Sequence, residues 1–168
     1  LITGITGQDG SYLADFLLAQ GYEVIGMVRR TSTVNFDRIR HIQDDINLVP
    51  GDLMDEVSLM SILRETRPHE VYNLAADMGG MGFIENNRAL CMLSSLINTH
   101  MLLAAKEHGV KRYFYSSSAC VYAADKQTSP DVIALKESDA YPAMPEDGYG
   151  WEKLFAERMC RHFSEDFG

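Results

Sequence analysis

The chain has 168 residues, 46% hydrophobic and 23% charged, with 13 Gly and 5 Pro, the make-up of one soluble globular domain. A formal net charge of −9 argues against a nucleic-acid partner, which needs a basic face, but admits an anionic small ligand received by local dipoles and arginines. No apolar run approaches the ~20 residues of a membrane span, and no signal or lipidation motif occurs.

In chain order, Leu1–Thr3 reads as the stub of a first strand, followed by the glycine-rich run Gly4 to Gly10. Ser11–Gln20 carries Leu13, Phe16, Leu17 and Leu18 on one side and stops at Gly21, which predicts a helix. Glu23–Val28 reads as a second strand, a helix is expected around Phe36–Gln43, and a third strand at Asn47–Val49 ends at Pro50-Gly51. Val57, Leu59, Met60 and Leu63 repeat with a helical period over Glu56–Thr66, broken by Arg67-Pro68. Glu70–Ala75 predicts a fourth strand, buried on both faces. A long helix from Ile84 or Ala89 to His108 closes at Gly109, and Lys111–Ser116 makes the fifth strand. After an irregular stretch from Ala123 to Asp147, a last helix runs from Tyr149 to Phe163.

This alternation predicts one domain over residues 1–168, an α/β fold with the doubly wound parallel sheet of a Rossmann domain. It is expected to stop before the sixth strand and a substrate domain. The missing initiator Met, the short first strand and Gly168 at a C-cap position predict a fragment whose parent continues past residue 168. Cys91, Cys120 and Cys160 form no Cys-x-x-Cys pair, which reads as reduced thiols in a cytoplasmic protein, with no disulfide framework and no metal site.

Gly4-Ile5-Thr6-Gly7-Gln8-Asp9-Gly10 sits between a strand and a helix. Its glycines permit a tight turn and close backbone approach to a pyrophosphate. The helix that follows offers free N–H groups and a positive dipole end. Order of strand, loop and helix is what lifts a glycine triplet above an ordinary turn. At the end of the second strand, NAD enzymes place an acid for the ribose 2′-hydroxyl. Here Val28-Arg29-Arg30-Thr31-Ser32 has none, and Arg29 and Arg30 suit a 2′-phosphate. The expected cofactor is therefore NADP, with NAD as the alternative.

Tyr149 and Lys153 lie one helical turn apart on one face, and Ser118 follows the fifth strand. Oxidising an alcohol requires a base for the hydroxyl proton while hydride leaves the carbon. A tyrosine near pKa ~10 serves if its phenol is brought toward neutrality, at ~1.4 kcal/mol per unit. Lys153 and a cationic nicotinamide are expected to do this, with Ser118 orienting the substrate hydroxyl.

The Gly-x-x-Gly-x-x-Gly spacing, with Ser118, Tyr149 and Lys153, resembles the extended short-chain dehydrogenase/reductase family. That resemblance implies an adenine-contacting turn at Gly51-Asp52-Leu53 and a ribose-side loop at Asn73-Leu74-Ala75-Ala76. Leu1 through Ala14 and Val28 through Ser32 resemble the GDP-mannose 4,6-dehydratases, which use NADP. Ala75-Ala76-Asp77-Met78-Gly79-Gly80-Met81-Gly82-Phe83-Ile84, Ser117-Ser118-Ala119-Cys120-Val121-Tyr122, Lys136 to Ala140 and Asp147-Gly148-Tyr149-Gly150 resemble the GDP-mannose 3,5-epimerases. The dehydratases carry Thr and Glu at the places of Ser118 and Cys120. The epimerases carry Ser-Ala-Cys, and their Cys acts as a base at C3 and C5.

The resemblance thus implies a GDP-sugar epimerase in which Cys120 exchanges protons, a thiol of pKa ~8.5 needing only modest lowering. The epimerases' partner acid, a lysine, is expected beyond residue 168. GDP-fucose synthases also pair Ser with Cys here, but lack the Asp77-Met78-Gly79-Gly80 stretch. Gly79 and Gly80 are read as leaving room for the sugar, against the alternative of a plain loop. Met92, Leu93, Leu96, Met101, Phe155 and Met159 are expected in the core or on the helix-bundle face of a homodimer. Two further readings compete with the enzyme: a non-catalytic module that binds NADP(H), and a folded scaffold. The intact Ser118–Tyr149–Lys153 set favours the enzyme, since a sensor has no need of it.

Overall fold

The computed structural model describes residues 1–29, 35–76, 80–127 and 134–168. They form two compact units, Leu1–Ala76 with His100–Ser116 and Asp77–Thr99 with Ser117–Gly168.

The first unit is built on five parallel strands: β1 (Ile2–Thr3), β2 (Val24–Arg29), β3 (Ile46–Gly51), β4 (Glu70–Asn73) and β5 (Arg112–Tyr115). Their order is β3-β2-β1-β4-β5, with Ile2 opposite Gly26 on one side and Tyr72 on the other. This is the doubly wound Rossmann order, with its switch point beside β1. Helix α1 (Gln8–Ala19) contributes Ala14 and Leu17 to a core with Ile2, Ile5, Val24 and Ile46. Helix α2 (Glu56–Thr66) supplies Leu59, Ile62 and Leu63 to a second core with Met27 and Val71. Each cluster removes apolar side chains from water at ~25 cal/mol per Å². Asp55 caps α2 by accepting from the Val57 N–H at 3.0 Å, and Arg67 ends it in the left-handed conformation at φ 45°.

Several expected boundaries shift. Helix α1 starts at Gln8, inside the glycine run. The segment expected as a helix around Phe36–Gln43 forms only a 3-10 stretch at Arg40–Asp45. Strand β3 continues through Pro50, which is tolerated because β3 is the sheet's edge. Strand β4 alternates buried and half-buried residues, since Tyr72 turns its hydroxyl to Glu70; the expectation of burial on both faces is corrected. The long helix is two, α3 (Met81–Asn86) and α4 (Arg88–Glu107).

At 20 residues α4 is also long and apolar enough to cross a membrane by length and composition, contrary to the expectation that no such stretch exists. Its polar Ser94 and Asn98 are buried, as in a helix that packs within a protein.

In the second unit, the first part of α4 accompanies α5 (Tyr149–Phe167), four residues longer than expected at its end. Thr99 Oγ1 lies 3.7 Å from Met159 Sδ. Leu154 of α5 packs with Val121 and Ala140. Leu90, Met92, Leu93 and Leu96 of α4 and Trp151 and Phe155 of α5 are exposed, whereas Met101 is fully buried.

Candidate active site

The glycine loop is shaped by its own packing. Gly4 has φ 72°, and a Cβ there would lie 3.2 Å from the backbone of Ala75. A Cβ on Gly10 would come within 2.3 Å of the Gly4 carbonyl oxygen. Only glycine fits at either place. The Gly7 N–H donates to the Gly4 carbonyl at 2.9 Å, and Gly7 is the N-cap of α1. Gly7, Gln8 and Asp9 are exposed, so the first-turn N–H groups of a 12-residue helix are open to an anion. Asp9 in that turn favours the helix dipole.

Thr3, which the sequence did not single out, ties this end of the sheet together. Its Oγ1 accepts from the N–H groups of Leu74 and Ala75, both at 3.1 Å, and donates to Asn73 Oδ1 at 2.9 Å. Asn73 in turn donates to the Tyr113 hydroxyl at 3.0 Å. The loop Leu74-Ala75-Ala76 is thus held beside Gly4. Asp52 forms a turn after β3, its Oδ1 accepting from the Met54 N–H at 2.9 Å and its own N–H donating to Ser58 Oγ at 3.2 Å. Leu53 packs against the core below. Arg29 is the exposed last residue of β2; Arg30 lies outside the described residues.

The second unit gathers Ser118, Cys120, Tyr149 and Lys153. Ser118 caps a short 3-10 turn, its Oγ accepting from the Cys120 N–H at 3.2 Å. Helix α5 comes in directly over that turn: a Cβ on Gly150 would sit 2.2 Å from the Cys120 carbonyl oxygen. The same carbonyl accepts from the Glu146 N–H at 3.1 Å. Arg88 on α4 pairs with Asp147 at 2.9 Å, just before the helix starts. Lys153 is 5% exposed, with its Nζ 5.4 Å from the centroid of the Tyr149 ring.

Electrostatics in this cluster depart from expectation. Burial pushes the Tyr149 phenol up, a hydrogen bond with Ser118 pulls it back, and Cys120, Glu152 and Cys91 push it up again. Among these neighbours Ser118 is the one that acts downward on Tyr149. Burial also raises the Cys120 thiol, reinforced by Glu146 and opposed by Ser118, the reverse of the modest lowering foreseen. Burial lowers the Lys153 ammonium, and Glu152 opposes that.

Gly80 is exposed, and a Cβ there would meet nothing within 4 Å, so packing does not demand glycine at this position. Gly79, with Asp77 and Met78, lies outside the described residues. A cavity of about 790 Å³ in the second unit is lined by Ser118, Tyr122, Tyr141 and Arg161 among others, but not by Cys120, Tyr149 or Lys153. It shares Ser118 with the cluster.

A doubly wound sheet with a glycine loop opening its first helix defines a Rossmann domain. The chain belongs to the NAD dependent epimerase/dehydratase family, which it matches over residues 1–168. It is 42% identical over 169 residues to GDP-mannose 3,5-epimerase 1 of Oryza sativa subsp. indica, covering 99% of this chain and 43% of that protein. It is 34% identical over 178 residues to GDP-mannose 4,6-dehydratase of Vibrio cholerae, covering 100% of this chain and 46% of the other. The chain spans less than half the length of these curated relatives. Among solved structures, the UDP-glucose 4-epimerase of Thermus thermophilus in complex with NAD superimposes with a TM-score of 0.84 at 22% identity, over 99% of this chain and 51% of that one. The epimerase Mth375 of Methanothermobacter thermautotrophicus does so with a TM-score of 0.80 at 28% identity, over 99% of this chain and 47% of that one.

Proposed function

We propose that this chain is the cofactor-binding and redox part of a GDP-sugar 3,5-epimerase acting on GDP-mannose or a close relative. The observation that carries this reading is the thiol of Cys120 beside Ser118 and Tyr149, where a dehydratase needs a carboxylate to expel the C6 hydroxyl. The higher identity to the GDP-mannose 3,5-epimerases than to the 4,6-dehydratases supports the same choice.

The cradle that a Cβ on Gly4 or Gly10 would fill, with the open first turn of α1, fits a pyrophosphate. Gly4, Gly7, Gln8, Asp9 and Gly10 would hold it. Asp52 and Leu53 would meet the adenine, Leu74, Ala75 and Ala76 the nicotinamide-side ribose, and Arg29 with Arg30 a 2′-phosphate. We therefore favour NADP over NAD. When bound, the cofactor would supply a hydride acceptor for C4 of the sugar and, after the proton exchange, the donor that returns that hydride to C4. Ser118 orients the C4 hydroxyl, and Tyr149 takes its proton. The resulting ketone acidifies the C–H bonds at C3 and C5, and Cys120 exchanges protons there. Lys153 sits against the Tyr149 ring and supports the charge that develops on the phenol. The exposed apolar faces of α4 and α5 suit a homodimer, and the three free thiols suit a cytoplasmic protein.

The test is incubation of the full-length protein with GDP-mannose in deuterated water. Deuterium at C3 or C5 of the recovered sugar is expected. A 4-keto-6-deoxy product without that label would establish the dehydratase reaction instead.

A further inference from the structure

Helix α5 starts without a side-chain cap, although the proposed chemistry depends on where its first residue, Tyr149, stands. Gly148, the N-cap, is buried, with φ 77° and ψ −82° and no capping hydrogen bond from its side. Support comes instead from Arg88, the first residue of α4. Its Nη1 donates to Asp147 Oδ2 at 2.9 Å, an ion pair that reaches across 59 residues of chain. The stem of the same side chain packs against Gly148: a Cβ added there would lie 3.0 Å from Arg88 Cβ and 3.1 Å from its Cα. The Tyr149 N–H donates to the Asp147 carbonyl at 3.1 Å, so whatever holds Asp147 also holds Tyr149. All these residues belong to the second unit.

We propose that Arg88 is a positioning residue for Tyr149: its guanidinium clamps Asp147, its stem props Gly148, and the two contacts together fix the start of α5. An exposed ion pair alone contributes little to stability, because two side chains must be ordered to make it. Here the packing of the stem against Gly148 already restricts the arginine, which leaves less freedom to lose. The pair therefore acts on the direction in which α5 leaves the turn, more than on whether the chain folds. Tyr149 registers such a change first, since it follows Asp147 by two positions. This inference rests on the role proposed for Tyr149, and its test is chosen to be read without that role.

The full-length protein is labelled with fluorotyrosine and followed by 19F NMR. Tyr149 is one of eight tyrosines in this chain, and its signal is assigned by loss in Tyr149→Phe. Arg88→Gln shortens the stem and removes the charge, Arg88→Lys keeps both, and Asp147→Asn removes the charge of the partner. Arg88→Gln and Asp147→Asn are expected to shift or broaden the Tyr149 signal, and Arg88→Lys to keep it close to wild type. Asp147→Asn should add nothing once Arg88→Gln is present, because the two changes break one contact. An unmoved Tyr149 signal in Arg88→Gln overturns the proposal, and so does an equal disturbance in Arg88→Lys. In turnover of GDP-mannose, kcat of Arg88→Gln is expected to fall by up to about fivefold, the most an exposed ion pair supplies, at unchanged KM. A raised KM with kcat intact would assign Arg88 to binding and overturn the proposal. The 19F readout needs no substrate, and the deuterium experiment tests the epimerase reading without touching Arg88, so the two failures are distinguishable.

Discussion

The α-carbon of Gly150 lies so close to the carbonyl of Cys120 that an added methyl would sit 2.2 Å from that oxygen. This contact seats the first turn of α5, and with it Tyr149, on the turn that carries Ser118 and Cys120. Gly150→Ala is expected to push the helix off that turn at a cost of about 1–3 kcal/mol, read as a lowered denaturation midpoint. Turnover should fall although every group named in the chemistry is still present. Full stability with unaltered activity would show that the close approach is not needed.

Tyr149→Phe removes one oxygen from a half-buried site and leaves the helix intact. It is expected to abolish transient oxidation, lowering turnover by roughly 10²–10⁴-fold, with cofactor affinity unchanged. Cys120→Ser should instead permit reduction of bound cofactor in the presence of GDP-mannose while blocking deuterium uptake at C3 and C5. The two variants together separate the redox half of the reaction from the proton exchange.

The cofactor seat makes a third prediction. Gly10→Ala brings its methyl within 2.3 Å of the Gly4 carbonyl, so calorimetric titration should find binding of both dinucleotides lost. Arg29→Ala is expected to weaken NADP by about 10–100-fold while sparing NAD, since a guanidinium–phosphate pair contributes on the order of 1.5–3 kcal/mol. Equal loss for both would remove the 2′-phosphate from the role given to that arginine.

Cys160 provides a dependence on pH. Burial raises its thiol from the usual 9.0 to about 11 in the folded chain. Between those values the folded state keeps a proton that the unfolded state has released, so stability falls as pH rises through the window. The contribution is fully present below 9.0 and gone above about 11. Cys160→Ala should flatten this slope relative to wild type, as read from urea midpoints across the window.

What the sequence disclosed follows the range of the forces involved. Helix α2 was legible at both ends because Val57, Leu59 and Leu63 carry the helical period and Arg67-Pro68 stops it within four residues. Tyr149 and Lys153 were legible because their pairing is a property of a single helix. The 3-10 stretch at Arg40–Asp45 was not, since nothing in its own residues separates it from a short α-helix. Strand β3 was cut short because Pro50 reads as a breaker until its place at the sheet's edge is known. Thr3 and Asn73 meet across 70 residues of chain, and neither residue alone announces a hydrogen bond. Glu152 looks like one more surface carboxylate, and only its apolar neighbour Leu154 hints otherwise. The directions of shift at Tyr149 and Cys120 depend on burial, which residue identities do not report.

The close contacts of Gly4 with Ala75 and of Gly10 with Gly4 have an energetic corollary. A loop whose shape is dictated by its own backbone does not need a guest to organise it. An incoming dinucleotide would spend little of its attraction on freezing the chain, so a modest set of N–H contacts yields useful affinity. Loosening either contact should therefore appear first as slower capture and a larger entropic penalty, before any single bond to the nucleotide is lost.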